Sequence, residues 1–173
     1  MSVLLLHPSL EVGTALIERL TAQDDEVRVI ERDPQLADRW RALGAFVAQG
    51  SADDSDLVER AAHSCRTIVL FDVDDGAAST VATALEGARS TTIDRVVLIA
   101  LRAAPECLQL LREEDIDYIL VQATRQRSLL LRRPPDVKLV AEVVDAADDL
   151  SGHPRLELDL SDPAAGRVLG LSV

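Results

Sequence analysis

The chain has 173 residues and a formal net charge of −12, a size that suits one domain with a real core and a balance that argues against nucleic acid or anionic membrane as the main partner, since both need clustered positive charge. Aromatic residues are only 2% of the chain, so the core must be aliphatic and a base-stacking platform has no material to be built from. Cys65 and Cys107 are too few for a disulfide framework and lack metal-ligand spacing, which makes a reducing cytoplasm the natural setting.

In chain order, Val3-Leu4-Leu5-Leu6 reads as a buried strand, too short for a signal-peptide core. A turn follows, ending at Gly13, and then a helix whose Val12, Ala15, Leu16 and Leu20 recur at helical spacing. Counting back from Gly13 on a G-x-G-x-x-G pattern, the three glycine places hold Pro8, Leu10 and Gly13. The third glycine lets helix and strand pack closely, whereas the second admits a diphosphate to the backbone; the scaffold glycine is therefore kept and the phosphate-facing one is replaced by an isobutyl group. Glu26 to Glu31 is a short β-branched strand, and it places Glu31 where an acidic residue takes the ribose hydroxyls in dinucleotide folds. Glu31 reads equally as a solvated strand end. His7, at the mouth of the turn, is placed to contact a phosphate or report pH, and reads by default as a residue that ends a strand.

Asp33-Pro34 is an N-cap followed by proline at the first helical position, with Leu36, Trp40 and Leu43 as the buried stripe and Gly44 as the stop. Ala45 to Ala48 is a third strand, and Asp53 or Asp54 caps the helix after it. Thr67 to Phe71 is nearly all apolar, as a strand covered on both faces should be. The loop Asp72 to Gly76 leads into an Ala-rich helix with more apolar surface than one stripe needs, enough for its own sheet and a partner. Arg95 to Leu101 is a fifth strand, Pro105 opens another helix, and Tyr118 to Val121 is a sixth strand. This alternation predicts an α/β fold: a Rossmann-like, doubly wound, parallel six-stranded sheet.

After Thr124 the pattern changes. A short helix through Leu129, Leu130 and Leu131 is predicted to end at Pro134-Pro135, which marks a boundary between a lobe over 1–133 and an extension over 134–173, either a partial linker or the start of a second lobe. Within the extension Leu139 to Val144 reads as a strand or short helix, Asp145 to His153 as a polar connector, and Arg155 to Leu160 as a half-exposed strand.

The strand Val3 to Leu6, the degenerate glycine turn, Val27 to Asp33, Gly50-Ser51-Ala52-Asp53, Phe71 to Asp75 and Asp115 to Leu120, in that order, resemble the nucleotide-binding lobe of RCK domains (TrkA-N-like), the cytoplasmic regulators of potassium channels and transporters. The resemblance covers roughly residues 2 to 131. It implies binding of NAD(H) or an adenine nucleotide, weakened here by Pro8 and Leu10, with turn contacts at Ser9, Leu10, Glu11, Val12 and Gly13, a ribose contact at Glu31 with Arg32 beside it, the adenine neighbourhood at Ser51 and Ala52, and a cleft floor at Asp72 and Val73. It also implies a homodimer or higher homo-oligomer on a membrane potassium channel or transporter subunit, in the cytoplasm, without direct membrane insertion.

The function expected on this basis is a non-enzymatic regulatory domain of a potassium channel or transporter that senses, or formerly sensed, the nucleotide through its dimer arrangement. The alternative is a nucleotide-free scaffold for assembly. An NAD(P)-dependent oxidoreductase ranks last, because hydride transfer is expected to need a separate substrate domain and only about 40 residues follow the sheet, fewer than the roughly 50 of a small domain. Among the acids, Asp72, Asp74 and Asp75 lack the sixth-place glycine and twelfth-place glutamate of an EF-hand loop, so no metal is expected.

Overall fold

A computed structural model describes residues 2–71, 77–100, 105–122, 127–128, 131–132, 137–150, 152, 155–160 and 162. The chain opens with β1 (Ser2–Leu6), α1 (Leu10–Thr21) and β2 (Glu26–Glu31) and continues through α2 (Pro34–Ala42), β3 (Phe46–Gln49) and α3 (Ser55–Ala62). Then come β4 (Thr67–Phe71), α4 (Ala77–Arg89), β5 (Arg95–Ala100), α5 (Pro105–Glu113) and β6 (Asp117–Gln122). A two-residue pair, β7 (Arg127–Ser128) with β8 (Leu131–Arg132), precedes α6 (Val137–Asp149) and β9 (Arg155–Asp159). Seven strands form one parallel sheet in the order β3-β2-β1-β4-β5-β6-β9.

Local chemistry accounts for the boundaries. Asp33 caps α2 by accepting from the Gln35 amide at 2.8 Å, with Pro34 next to it where a missing N–H costs nothing. Gly44 follows α2 at φ +95°, a conformation glycine adopts without penalty. Of the two candidate caps before α3 it is Asp54 that acts, accepting from Leu57 N at 3.1 Å.

Alternation along the strands divides the core into two layers. Val3, Leu5, Val27, Val29, Val69, Val97 and Ile119 face α1, α2 and α6, while Leu4, Leu6, Ile30, Ile68, Leu70, Val96 and Leu98 face α3, α4 and α5. The surplus apolar surface of α4 is taken up within the chain by α3 and α5. A Cβ on Gly87 would stand 2.8 Å from Val58 Cγ1, so α4 lies close on α3.

The sheet has seven strands rather than six. The added strand is β9, which pairs with β6 from Tyr118↔Arg155 to Gln122↔Asp159. The stretch expected as a linker or second lobe thus supplies a strand and a helix to the same sheet. The polar connector over 145–153 is, as far as Asp149, the second half of α6. Its Asp145 and Asp148 are buried because each has partners: Arg19 and Gln23 for the first, Thr67 and Arg66 for the second. Of the short helix expected through Leu129, Leu130 and Leu131, the first two residues lie outside the described residues, as does the Pro134-Pro135 break, and Leu131 belongs to β8, which pairs with β7. Among those described, no helix is long and apolar enough to cross a membrane.

Candidate functional site

The carboxyl ends of β1 and β2 frame the site. β1 stops at Leu6, and His7 turns the chain with φ +48°, a left-handed conformation. Its amide donates to Ile30 O at 3.1 Å. Its Nε2 accepts from the Ala52 amide at 3.1 Å, which puts the ring hydrogen on Nδ1. The tight bend therefore falls at His7 and not at Pro8, where the glycine count puts it. Proline's ring fixes φ near −65° and rules out the left-handed region, so the residue directly after the apolar run was the place left for the bend, a signal the motif count overlooked.

Pro8 is buried and Ser9 is the N-cap residue of α1, in extended backbone, making no side-chain capping bond; its carbonyl accepts from Gly13 N at 2.7 Å. A Cβ on Gly13 would lie 2.6 Å from Pro8 Cβ and 3.3 Å from Trp40 Cη2. Gly13 is thus the close-packing glycine, holding α1 against the turn and the α2 tryptophan. Leu10 is 46% exposed at the start of α1, and Glu11 is exposed beside it.

Glu31 closes β2 but does not face open water. Only 5% exposed, its Oε1 accepts from Arg32 N at 2.8 Å and Asp33 N at 2.9 Å, and its Oε2 accepts from Trp40 Nε1 at 3.3 Å. His7 Nδ1 stands 3.8 Å from Oε1. Burial pushes the His7 pKa below its ordinary 6.5 against the pull of Glu31, and the Arg32 charge adds to the lowering. The ring is accordingly neutral at pH 7. Arg32 is exposed, and among the described residues its guanidinium has no ion-pair partner.

His7 to Leu10 on one side and Glu31 to Pro34 with Leu36 on the other flank a broadly open cleft of about 630 Å³, a volume within the range of small-molecule sites. Of the expected contacts, Ser9, Leu10, Glu31 and Arg32 meet there. Glu11, Val12, Gly13, Ser51 and Ala52 do not line it; Ser51 Oγ accepts from Asp53 N, and Ala52 is tied to the cleft through His7. Asp72 and Val73 lie outside the described residues. Among the described residues no group of His, Cys, Asp or Glu gathers as a metal site.

The core order β3-β2-β1-β4-β5-β6, with a cleft at the carboxyl ends beside the point where the winding reverses, defines a Rossmann-type domain. The family model of the TrkA-N domain matches residues 11–121, and the chain belongs to that family. Among solved structures it is similar to ChuY, an anaerobillin reductase from Escherichia coli O157:H7, with 15% identity, a TM-score of 0.76, and coverage of 92% of this chain and 96% of that one. It is similar also to a Citrobacter sp. triphenylmethane reductase complexed with NADP(H), at 12% identity and TM-score 0.72, over 92% of this chain and 70% of that one. A short-chain dehydrogenase/reductase (wide type) from Veillonella parvula in complex with NADP gives 12% identity and TM-score 0.70, over 95% of each chain. At such identities the likeness is one of fold. None of the curated proteins matches.

These neighbours overturn the expectation of a non-enzymatic potassium-channel regulator, and of an empty assembly scaffold with it. The structures named above are those of reductases, and two of them are covered almost entirely by this one domain. The inference that hydride transfer needs a separate substrate domain fails for that reason. The TrkA-N match gives a Rossmann-type family and no transport role.

Proposed function

We propose that the chain binds a nicotinamide dinucleotide in the cleft between His7–Leu10 and Glu31–Pro34 and works as a reductase on a small organic acceptor. The observation that carries this is the position of the cleft: it opens at the carboxyl ends of β1 and β2, beside the reversal of strand order between β1 and β4, where open α/β sheets take their ligands. Coverage of whole reductases by this single domain supports it.

The residues present suit the adenosine half of such a ligand. Ser9 leaves the first amides of α1 without a side-chain acceptor, and a 12-residue helix directs its positive end at whatever anion lies there. Leu10 and Glu11 set limits on how that anion sits, the first by bulk and the second by charge. Pro34 and Leu36 give an apolar wall, and Arg32 gives a cation at the rim. When bound, the nicotinamide supplies or accepts a hydride. The strand ends toward which that half would extend lead into 72–76, 101–104 and 123–126, outside the described residues.

Calorimetric titration of the intact chain with NADPH and NADH tests the reading, followed by loss of reduced-cofactor absorbance with a panel of quinones, enones and aldehydes. Saturable binding of at least one dinucleotide is expected. A folded protein that binds neither would sink it.

A further inference from the structure

We infer that the cleft selects the 2′-phosphorylated dinucleotide, NADP(H), and that Arg32 is the residue that makes the choice. The inference rests on the dinucleotide reading above. In sites built for the unphosphorylated cofactor, a carboxylate at the end of the second strand offers its oxygens to the ribose hydroxyls. Glu31 stands at that place but is largely engaged: Oε1 already takes the Arg32 and Asp33 amides and Oε2 takes the Trp40 indole, which leaves one acceptor position in place of the two oxygens of a free carboxylate. Turning it outward would strand two backbone amides and the indole N–H of a fully buried tryptophan, and buried donors left without acceptors are costly.

The next residue has the opposite character. Arg32 lines the same cleft, is exposed, and its guanidinium is without an ion-pair partner among the described residues. A planar guanidinium meets a phosphate with two parallel hydrogen bonds, which a ribose hydroxyl cannot return. Asp33, the neighbouring acid, caps α2 through the Gln35 amide and keeps its charge at the cleft, so Arg32 has to outweigh it by meeting the phosphate directly. A buried glutamate held by three donors and an exposed arginine thus stand side by side along the cleft.

Binding by calorimetry to the intact chain and to Arg32→Ala separates the possibilities, using NADPH, NADH and the fragments 2′,5′-ADP and 5′-AMP. The wild-type protein is expected to bind NADPH at least about 10-fold more tightly than NADH, and 2′,5′-ADP more tightly than 5′-AMP. Arg32→Ala should weaken NADPH by about 10-fold or more and leave NADH within about two-fold, with Arg32→Lys in between because it keeps the charge and loses the fork. Equal or tighter binding of NADH by the wild-type protein overturns the selection while leaving the dinucleotide reading intact. Equal weakening of both dinucleotides in Arg32→Ala overturns the role of Arg32. Failure of the folded wild type to bind any of the four overturns the dinucleotide reading and the selection together.

Discussion

Arg19 donates through Nε to Asp145 Oδ2 at 2.5 Å, joining residues 126 positions apart and fastening α6 to α1. Gln23 Nε2 reaches the same oxygen at 3.1 Å. Beneath them Val140, Val143, Val144 and Ala147 complete the aliphatic layer over β1, β4, β5 and β6. Asp145→Ala should lower unfolding free energy by about 1–3 kcal/mol in urea titrations, the range for hydrogen bonds to charged groups. Deleting 134–173 should do far more, because it bares that layer: the 1–133 fragment is expected to bind a hydrophobic dye or to precipitate. A monomeric fragment with a sharp urea transition would show that α6 and β9 are dispensable to the core.

The close approach at Gly13 is expected to be less forgiving than that at Gly50. An added Cβ at Gly13 meets the Pro8 ring and Trp40, neither of which can swing away, whereas at Gly50 it meets the end of the Leu57 side chain. Gly13→Ala should therefore cost on the order of 1–3 kcal/mol and disturb Trp40 fluorescence. Gly50→Ala should cost less. Equal losses in thermal melts would mean that the β1–α1 turn gives as easily as a side-chain tip.

His7 brings a pH dependence whose sign is fixed by its surroundings. Its folded pKa is lowered from 6.5, chiefly by burial, so the native state holds the ring neutral while the unfolded chain does not. That contribution to stability is complete above pH 6.5 and is lost as pH falls below it. Protonation would also turn Nε2 from an acceptor into a donor facing the Ala52 N–H. His7→Asn, which tolerates the left-handed backbone and does not titrate, should lack this loss. Parallel melting curves for the two proteins between pH 7.5 and 5 would expose the mechanism as wrong.

Asp148 works in the reverse sense. Burial raises its pKa against the opposing pull of Thr67 and Arg66, so the fold favours the protonated acid. Its stabilising contribution is present below 3.8 and disappears as pH rises through the raised value. Asp148→Asn keeps an acceptor for Thr67 Oγ1 without the buried charge. It is expected to raise the midpoint of unfolding at pH 7, with the gain shrinking toward pH 4. A lower midpoint at pH 7 would show that the Arg66 pairing outweighs burial.

Arg95 is nearly fully buried, donating to the Ala147, Asp148 and Leu150 carbonyls at 2.5, 3.0 and 2.7 Å where α6 ends. Arg95→Met should cost at least about 2 kcal/mol, with hydrogen exchange quickening first in α6.

Most strands and caps were legible because their causes are local. Thr67 to Phe71 is an apolar run, Asp33-Pro34 and Gly44 punctuate α2, and β2 came out with its observed ends. The second half of α6 was not, since Asp145 and Asp148 look like loop residues until Arg19 and Thr67 are brought to them from the far end of the chain. Alternation over 155–160 gave a half-exposed strand without saying which sheet it joins. In the site, the place of Glu31 was legible and its engagement was not, because that depends on Trp40 one helix later. His7 was legible as the residue that ends β1, but its bond to the Ala52 amide, 45 positions further on, was not. The functional expectation failed for a different reason: a strand, a turn and a small residue under a helix are common to regulators and reductases, and the residues that separate them are not in the turn.

The two rims of the sheet are unlike. Among the described residues β9 ends it with Arg155, Glu157 and Asp159, where Arg155 pairs with Asp115 and Glu157 with Arg112. β3 ends it with Phe46-Val47-Ala48-Gln49, uncharged, and with the phenyl ring 67% exposed. Ionic side chains discourage a foreign strand from annealing along a rim, and a bare aliphatic one invites it. Sedimentation at rising concentration should stop at a pair and never run on into fibres.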